Sequence, residues 1–94
     1  MSKNVRVRFF ATLRLALGVA FIDVELSKPT KIRELLRGVS SRLGVNIEEK
    51  LLENGRLRRG TMLLVNGKNV IHLDGLDTIV EEGEISVFPP AGGG

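Results

Sequence analysis

The sequence predicts an α+β fold in which one main helix packs on one face of a mixed sheet of four to five strands. Apolar and charged residues alternate near both ends of the chain, which is typical of half-buried strands. Between them lies one apolar stripe with helical spacing. The length of 94 residues suits one domain with one core. We therefore interpret residues 1–94 as a single domain.

The first two strands are predicted from alternation with a period of two. Val5, Val7 and Phe9 point to the core, while Arg6 and Arg8 point away. A second alternation begins after Gly18 and places four apolar side chains on one face: Ala20, Ile22, Val24 and Leu26. The two strands form a hairpin, and residues 12–18 are its long connection.

The helix is predicted to begin after Pro29, with the hydroxyl of Thr30 as its N-cap. Its apolar stripe repeats at helical intervals and comprises Ile32, Leu35, Leu36, Val39 and Leu43. Gly44 ends it, since glycine readily adopts the left-handed conformation found at helix ends.

The second half of the chain is predicted to complete the sheet. Residues 45–60 lack a sustained period and are interpreted as a loop with room for one helical turn. A strand at 61–65 turns at Asn66 and Gly67, a pair favoured in tight hairpins, and returns through 70–71. Leu76 and Ile79 are expected to anchor the stretch that follows, and Gly83 turns the chain into the last strand.

The last strand, 84–88, points Ile85 and Val87 inward. This order of strands around a single helix favours the β-grasp, or ubiquitin-like, arrangement, in which the first and last strands lie side by side and parallel at the centre of the sheet. Phe10 and Phe88 would then share the open face of the sheet. An exposed aromatic pair at this place is a candidate anchor for a partner protein.

Composition limits the chemistry that the chain can perform. The sequence has no cysteine and a single histidine, His72, so disulfides, thiol catalysis and a histidine-based zinc site are not expected. Nothing in it forms a self-contained active site, and no bound metal or cofactor is predicted. No apolar run approaches the ~18 residues of a membrane span, and a cytoplasmic protein is expected.

The net charge is +3, and three arginines cluster in ENGRLRRG: Arg56, Arg58 and Arg59. Such a cluster is compatible with nucleic-acid binding, but no Tyr or Trp is present for base stacking. A solvated loop of charges is the preferred interpretation.

The chain ends in FPPAGGG, with a diproline at Pro89 and Pro90 and a terminal run of Gly92, Gly93 and Gly94. Glycines form the thinnest possible polypeptide, and prolines would stiffen the exit from the last strand. Residues 89–94 are interpreted as a flexible tail that reaches up to about 20 Å when extended. The terminal carboxylate could therefore enter a partner's active site while the domain stays outside.

The ending FPPAGGG, the VNG turn, LDGLDT and RFFATLR together resemble the MoaD-like small subunit of molybdopterin synthase, a branch of the ubiquitin-like sulfur carriers. The resemblance implies that an E1-like enzyme adenylates the terminal glycine with ATP and Mg²⁺, and that a sulfur donor converts it into a thiocarboxylate. The tail then enters the synthase large subunit and donates sulfur for the molybdenum or tungsten cofactor. This chain would be a subunit and cosubstrate.

On this sequence the resemblance implies that Gly94 carries the reacting carboxylate. Gly92 and Gly93 would form the narrow segment of chain that leads to it. It also implies that Phe10, Phe88, Pro89 and Pro90 contact the large subunit and the activating enzyme. Arg14 matches the family pattern without an assigned role. The usual VAGG ending reads AGGG here, which leaves the register of the residues before the di-glycine open.

Three alternatives remain open from the sequence. The same activated glycine could form isopeptide bonds with target lysines, which would make the chain a ubiquitin-like protein modifier. A thiamine-thiazole sulfur carrier is a weaker alternative, because those relatives are shorter than a chain with the loop at 45–60. A basic nucleic-acid-binding module is the third.

Overall fold

The structure is a computed structural model, and it describes residues 2–90. The strands are β1 Lys3–Phe9, β2 Phe21–Leu26, β3 Thr30–Lys31, β4 Leu52–Glu53, β5 Arg56–Leu57, β6 Met62–Val65, β7 Lys68–Asn69, β8 Ile79–Val80 and β9 Gly83–Phe88. The helices are α1 Ala11–Leu17, α2 Ile32–Leu43 and α3 Ile47–Leu51, with 3₁₀ turns at Val70–His72 and Gly75–Asp77.

The main sheet has the strand order β2-β1-β9-β6-β7 within the described residues. β1 runs antiparallel to β2 and parallel to β9, with Val5 opposite Gly83 and Phe9 opposite Val87. The predicted α+β β-grasp fold is therefore confirmed, including the parallel pairing of the first and last strands. This pairing places β9, which leads into the C-terminal tail, in the middle of the sheet.

One core joins the sheet to α2. Val5, Val7 and Phe9 of β1 are buried against the α2 stripe, as predicted. Gly44 caps α2 in the left-handed conformation, with φ of 68°. α2 covers one face of the sheet. We call the opposite face the open face, and the outward residues of β1 and β9 lie on it.

The connection between β1 and β2 contains a helix that the alternation did not predict. α1 occupies residues that were interpreted as a hairpin connection, and it buries Leu13 in the core. Its start is unusual, because Ala11 has a φ of 52° and the N-cap Phe10 contributes no side-chain hydrogen bond. A helix of seven residues without a cap gives only a weak sequence signal.

The predicted cap of α2 is wrong. Lys31 is the N-cap and makes no side-chain cap hydrogen bond, while the Thr30 hydroxyl donates to the carbonyl oxygen of Lys28 at 2.9 Å. Thr30 instead lies in β3, which pairs with β8 so that Thr30 stands opposite Val80. The pairing with a distant segment overrides the local capping preference.

Residues 45–60 hold more structure than the predicted loop. The helical turn is present as α3, and β4 and β5 then form a small hairpin of their own. The turn between them uses Asn54 and Gly55, with φ of 54° and 78°. The strands of this hairpin are too short for an alternation of apolar and polar residues to indicate them in the sequence.

The tight turn predicted after β6 is confirmed, since Asn66 and Gly67 have φ of 49° and 87°. The return strand is β7, Lys68–Asn69, and not residues 70–71, which lie in a 3₁₀ turn. Leu76 is buried as predicted, but Ile79 is 51% exposed and Val80 is buried in its place. The β3–β8 pairing turns Val80, and not Ile79, toward the core.

Within the described residues, no helix is both long enough and apolar enough to cross a membrane.

Candidate functional site

The site is built around the end of β9, where the chain leaves the centre of the sheet. Phe88 is the last residue of β9, and Pro89 and Pro90 follow it as half-buried residues. Since β9 lies between β1 and β6, both neighbouring strands contribute side chains around this exit. The predicted reacting segment, Gly92–Gly94, lies outside the described residues, and its role stays a prediction.

Phe10 and Phe88 are stacked on the open face beside this exit. Their ring centroids are 4.3 Å apart and the ring planes differ by 11°. The parallel register brings them together, because Phe9 stands opposite Val87 and the Phe10 amide donates to the Val87 carbonyl at 3.1 Å. Stacking leaves both rings half-buried, with part of each still accessible. The structure thus brings together the two aromatic residues singled out from the sequence.

Two further apolar residues, which sequence reasoning missed, extend this surface across β6. Met62 stands opposite Phe88 and Leu64 opposite Ser86 in the antiparallel pairing of β6 with β9. Both are half-buried, whereas Leu63 and Val65, which alternate with them, are buried in the core. The period-two pattern of β6 contained this signal, but its pairing partner was not assigned.

We name the surface formed by Phe10, Met62, Leu64 and Phe88 the tail-proximal patch. Met62 and Leu64 lie in β6 and Phe88 in β9, while Phe10 directly follows β1, and the half-buried Ser86 lies among them. An accessible apolar surface built on rigid strands is suited to contact with another protein. It borders the point at which the chain emerges, so a protein that binds the patch would also receive the tail.

Charged side chains cover the open face further along β1 and are paired with one another. Arg6 donates two hydrogen bonds to the Asp23 carboxylate, at 2.8 and 3.1 Å, and its guanidinium lies 3.9 Å from the centre of the Phe21 ring. Arg8 lies 2.9 Å from the Glu84 carboxylate. The hydrogen bond from Arg6 lowers the pKa of Asp23 and raises the pKa of Arg6 itself. Because these charges are largely neutralised locally, the apolar patch dominates the face near the exit.

On the other side of the exit, Pro89 and Pro90 line an open cleft of about 430 Å³. α1 contributes Leu13 and its neighbours, and α3 contributes Lys50. Arg58 also lines the cleft. Its guanidinium donates a hydrogen bond to the Glu49 carbonyl at 3.2 Å, which links the β4–β5 region to α3. The diproline thus shares one cleft with α1 and α3, and both prolines are half-buried, so part of their surface is accessible.

Arg14 lies in the last turn of α1, where its carbonyl oxygen accepts a hydrogen bond from the Gly18 amide at 3.0 Å. The structure gives its side chain no role at the site. Among residues 2–90, no group of three or more His, Cys, Asp or Glu side chains is arranged to hold a metal ion.

Comparison with known proteins gives one family match that spans most of the chain. The model of the ThiS family matches residues 7–94. The chain is 33% identical over 92 residues to small archaeal modifier protein 3 of Haloferax volcanii, an alignment that covers 97% of this chain and 99% of that protein.

Two solved structures extend the comparison. One is a Pyrococcus furiosus protein provisionally named molybdopterin converting factor subunit 1, with 27% identity and a TM-score of 0.71, covering 94% of this chain and 98% of that one. The other is a chain of the BexX/CysO complex from Amycolatopsis orientalis, with 26% identity and a TM-score of 0.77, covering 96% and 99%.

Proposed function

The chain belongs to the ThiS family of ubiquitin-like sulfur carriers, and from this premise we propose that it carries sulfur on its C-terminal glycine as the small subunit of molybdopterin synthase. The observation that carries the proposal is the exit of the chain from the central strand β9 beside the tail-proximal patch. A partner that binds the stacked Phe10 and Phe88 is thereby placed to receive the C-terminal residues. The proposal locates the protein in the cytoplasm.

The proposed cycle starts at the Gly94 carboxylate. An E1-like enzyme joins this carboxylate to the AMP part of ATP, with Mg²⁺, and pyrophosphate leaves. Sulfide-level sulfur from a donor acting with that enzyme then attacks the acyl carbon of the adenylate. The C–S bond forms as the bond to the AMP oxygen breaks, AMP leaves, and Gly94 ends in a thiocarboxylate. ATP and Mg²⁺ belong to the activating enzyme and not to this chain.

In the second half of the cycle the thiocarboxylate transfers its sulfur to the pterin precursor in the large subunit, and water restores the carboxylate. Gly92 and Gly93 have no side chains to block a narrow channel. Residues 89–94 can reach up to about 20 Å when extended, so the folded domain can remain outside.

The described residues have distinct parts in this proposal. Phe10 and Phe88, supported by Met62 and Leu64, anchor the partner through apolar contact. Pro89 and Pro90 fix their own backbone φ and stiffen the base of the tail. The domain therefore supplies recognition and orientation, while the partner enzymes supply the reactive groups.

The likeness to a provisionally named molybdopterin converting factor subunit supports the synthase assignment. The BexX/CysO complex shows a similar chain assembled with another protein, in line with a carrier that works through partners.

Intact-mass analysis tests the proposal directly. The full chain is incubated with an E1-like enzyme, ATP, Mg²⁺ and a sulfur donor. We expect a mass gain equal to the exchange of one oxygen for sulfur, mapped by fragmentation to Gly94. A chain that ends at Ala91 is the control and should not react. An unchanged full-length mass, with an enzyme that activates another carrier, would contradict the proposal.

A second function is favoured by a specific observation, the 33% identity with small archaeal modifier protein 3. In that alternative the activated Gly94 forms an isopeptide bond with a lysine of a target protein. The two functions share the activation step and differ in the acceptor. Lysine-linked conjugates on a denaturing gel that disappear when Gly92–Gly94 are removed would establish modification. Sulfur transfer to the pterin precursor by the large subunit would establish the carrier.

A further inference from the structure

The β4–β5 hairpin presents an arginine-rich surface that the proposed function does not use. Its strands pair Leu52 with Leu57 and Glu53 with Arg56. The two-residue turn at Asn54 and Gly55 has positive φ at both positions, which suits a tight hairpin. The hairpin therefore holds Arg56 and Leu57 in a defined position.

Two adjoining clefts flank this hairpin and share Arg56 and Leu57. The first has a volume of about 300 Å³ and is lined mainly by apolar atoms, with Ile71 and Leu76 beside Leu57 and with Arg33 among its lining residues. The second has a volume of about 510 Å³, and its charged lining residues are Glu53 and three arginines: Arg56, Arg58 and Arg59. An apolar cleft thus lies directly beside a cationic one.

The charge around these clefts is mostly positive after local pairing is taken into account. Arg33 donates to the Asp77 carboxylate at 2.8 Å, and Arg58 lies 3.9 Å from the Glu53 carboxylate. Within residues 2–90, neither Arg56 nor Arg59 forms an ion pair. These two guanidinium groups can therefore bind an incoming carboxylate without first breaking an ion pair of the described residues.

The apolar cleft has an accessible wall. Ile71 is 67% exposed, an unusual position for an isoleucine, and its amide is held by the Asn69 side chain at 3.1 Å. Leu76, by contrast, is buried and forms the base of the cleft. A single aliphatic side chain that enters here would bury part of Ile71 and gain free energy in proportion to the apolar area removed from water.

We propose that the β4–β5 hairpin and its two clefts form a second docking surface, which binds an acidic peptide segment carrying one aliphatic side chain. The aliphatic side chain occupies the cleft between Leu57, Ile71 and Leu76. Neighbouring carboxylates of the peptide pair with Arg56 and Arg59. A peptide fits both clefts, whereas nucleic acid would use only the cationic one, and the residues that line the clefts include no aromatic ring for base stacking.

This surface is separate from the tail-proximal patch. The apolar cleft is lined by α2, the hairpin and the 3₁₀ turns, whereas the patch lies on the open face of the sheet. Arg58 of the cationic cleft also lines the diproline cleft, but no residue of the patch lines either cleft of the hairpin. Both surfaces can therefore be occupied at once, and a second partner can bind this chain while its tail is engaged elsewhere. The inference does not depend on sulfur transfer, because the surface is complete without activation of the C terminus.

The test uses the full chain with its C terminus unmodified and a fluorescein-labelled nine-residue peptide that has a central isoleucine flanked by glutamates. Fluorescence anisotropy measures the affinity. Backbone amide NMR shifts in ¹⁵N-labelled protein locate the site. We expect saturable binding that weakens with added salt and shifts the amides of Arg56, Leu57 and Ile71.

Two peptides and three variants separate the parts of the proposal. Replacing the central isoleucine with serine, or the glutamates with lysines, should each weaken binding strongly. The double variant Arg56→Glu, Arg59→Glu should weaken it roughly tenfold or more, since it replaces attraction with repulsion. Ile71→Ser should weaken it several-fold without altering the charge. Lys28→Glu, which makes half of that charge change at a distant cleft, should have no effect.

The proposal is overturned if the serine and isoleucine peptides bind equally, if the double variant binds as the parent does, or if the shifts map to the open sheet face. It is also overturned if polyuridylate RNA binds the hairpin more tightly than the peptide and the double variant abolishes that binding. Circular dichroism melts confirm that each variant is folded, and a folded variant with unchanged affinity counts against the docking surface.

Discussion

Replacing Gly83 with alanine should destabilise the protein strongly, although the change adds a single methyl group. Gly83 begins β9 with a φ of 107°, a conformation that residues with a side chain rarely adopt. A Cβ at this position would lie 2.0 Å from Oδ1 of Asn66, well inside contact distance. Backbone strain and a steric clash therefore act on the same substitution.

The magnitude follows from what the alanine displaces. The Asn66 side chain accepts from the Glu84 amide at 2.8 Å and donates to the Glu82 carbonyl at 3.3 Å. Losing both hydrogen bonds costs about 1 kcal/mol each, and the backbone strain adds about 1–3 kcal/mol. We expect a loss of roughly 3–5 kcal/mol, a large share of the ~5–15 kcal/mol that stabilises a typical domain.

Urea unfolding followed by far-UV circular dichroism measures the loss. Gly38→Ala is the matched control, because Gly38 lies within α2, has open space around it and has no positive φ. The control should be stabilised by about 0.5–1 kcal/mol, since alanine favours the helix. In an Asn66→Gly background both hydrogen bonds are already absent and the clash cannot occur, so adding Gly83→Ala there should cost only the backbone strain. If Gly83→Ala alone unfolds within about 0.5 kcal/mol of the parent, the reasoning is refuted.

Three further predictions concern other parts of the molecule. Asp23 should titrate below its ordinary pKa of 3.8, because Arg6 stabilises its carboxylate. The pairing with Arg6 therefore stabilises the fold at pH values above 3.8. This stabilisation is lost as the pH falls through the lowered pKa of Asp23. Carboxyl NMR detects this, and Arg6→Gln should move the midpoint back up. Asn46→Ala should cost about 1 kcal/mol in urea unfolding, because Asn46 caps α3. Phe88→Ala should weaken binding of the activating enzyme roughly 30-fold in calorimetry, whereas Ile79→Ala should leave it unchanged.

Each of these has an outcome that would count against it. A midpoint for Asp23 that does not respond to Arg6→Gln would show that the ion pair does not set the pKa. An Asn46→Asp variant as unstable as Asn46→Ala would argue against the capping hydrogen bond, because aspartate can accept it too. Equal affinities for Phe88→Ala and Ile79→Ala would remove the aromatic stack from the interface.

The parts of the fold that sequence could predict are those encoded by local periodicity. The alternation of Val5, Val7 and Phe9, the stripe of α2 and the turn at Asn66 and Gly67 each depend on nearby residues, and each was confirmed. Elements fixed by distant contacts were not predicted. Thr30 has the side chain of a helix cap but pairs with β8, and α1 depends on packing of Leu13 more than on its own propensity.

The residues of the candidate site likewise divide into those that local patterns predict and those whose place depends on distant contacts. The adjacency of Phe10 and Phe88 followed from alternation plus one assumption about strand order, and the structure brings the rings together. Met62 and Leu64 were missed because their place depends on which strand flanks β9 on its other side. The roles of Gly92, Gly93 and Gly94 come from the family resemblance, and the mass experiment is their test.

The central position of β9 has a consequence for when the tail-proximal patch forms. β9 follows every other strand of the described residues in the sequence, yet β1 and β6 both require it as a neighbour. The two halves of the main sheet therefore cannot join until β9 has been made and inserts between them. Phe10 and Phe88 come together only when β9 inserts, so a chain in which β9 is not inserted offers a partner no assembled patch. The central strand in this way makes partner recognition depend on completion of the sheet.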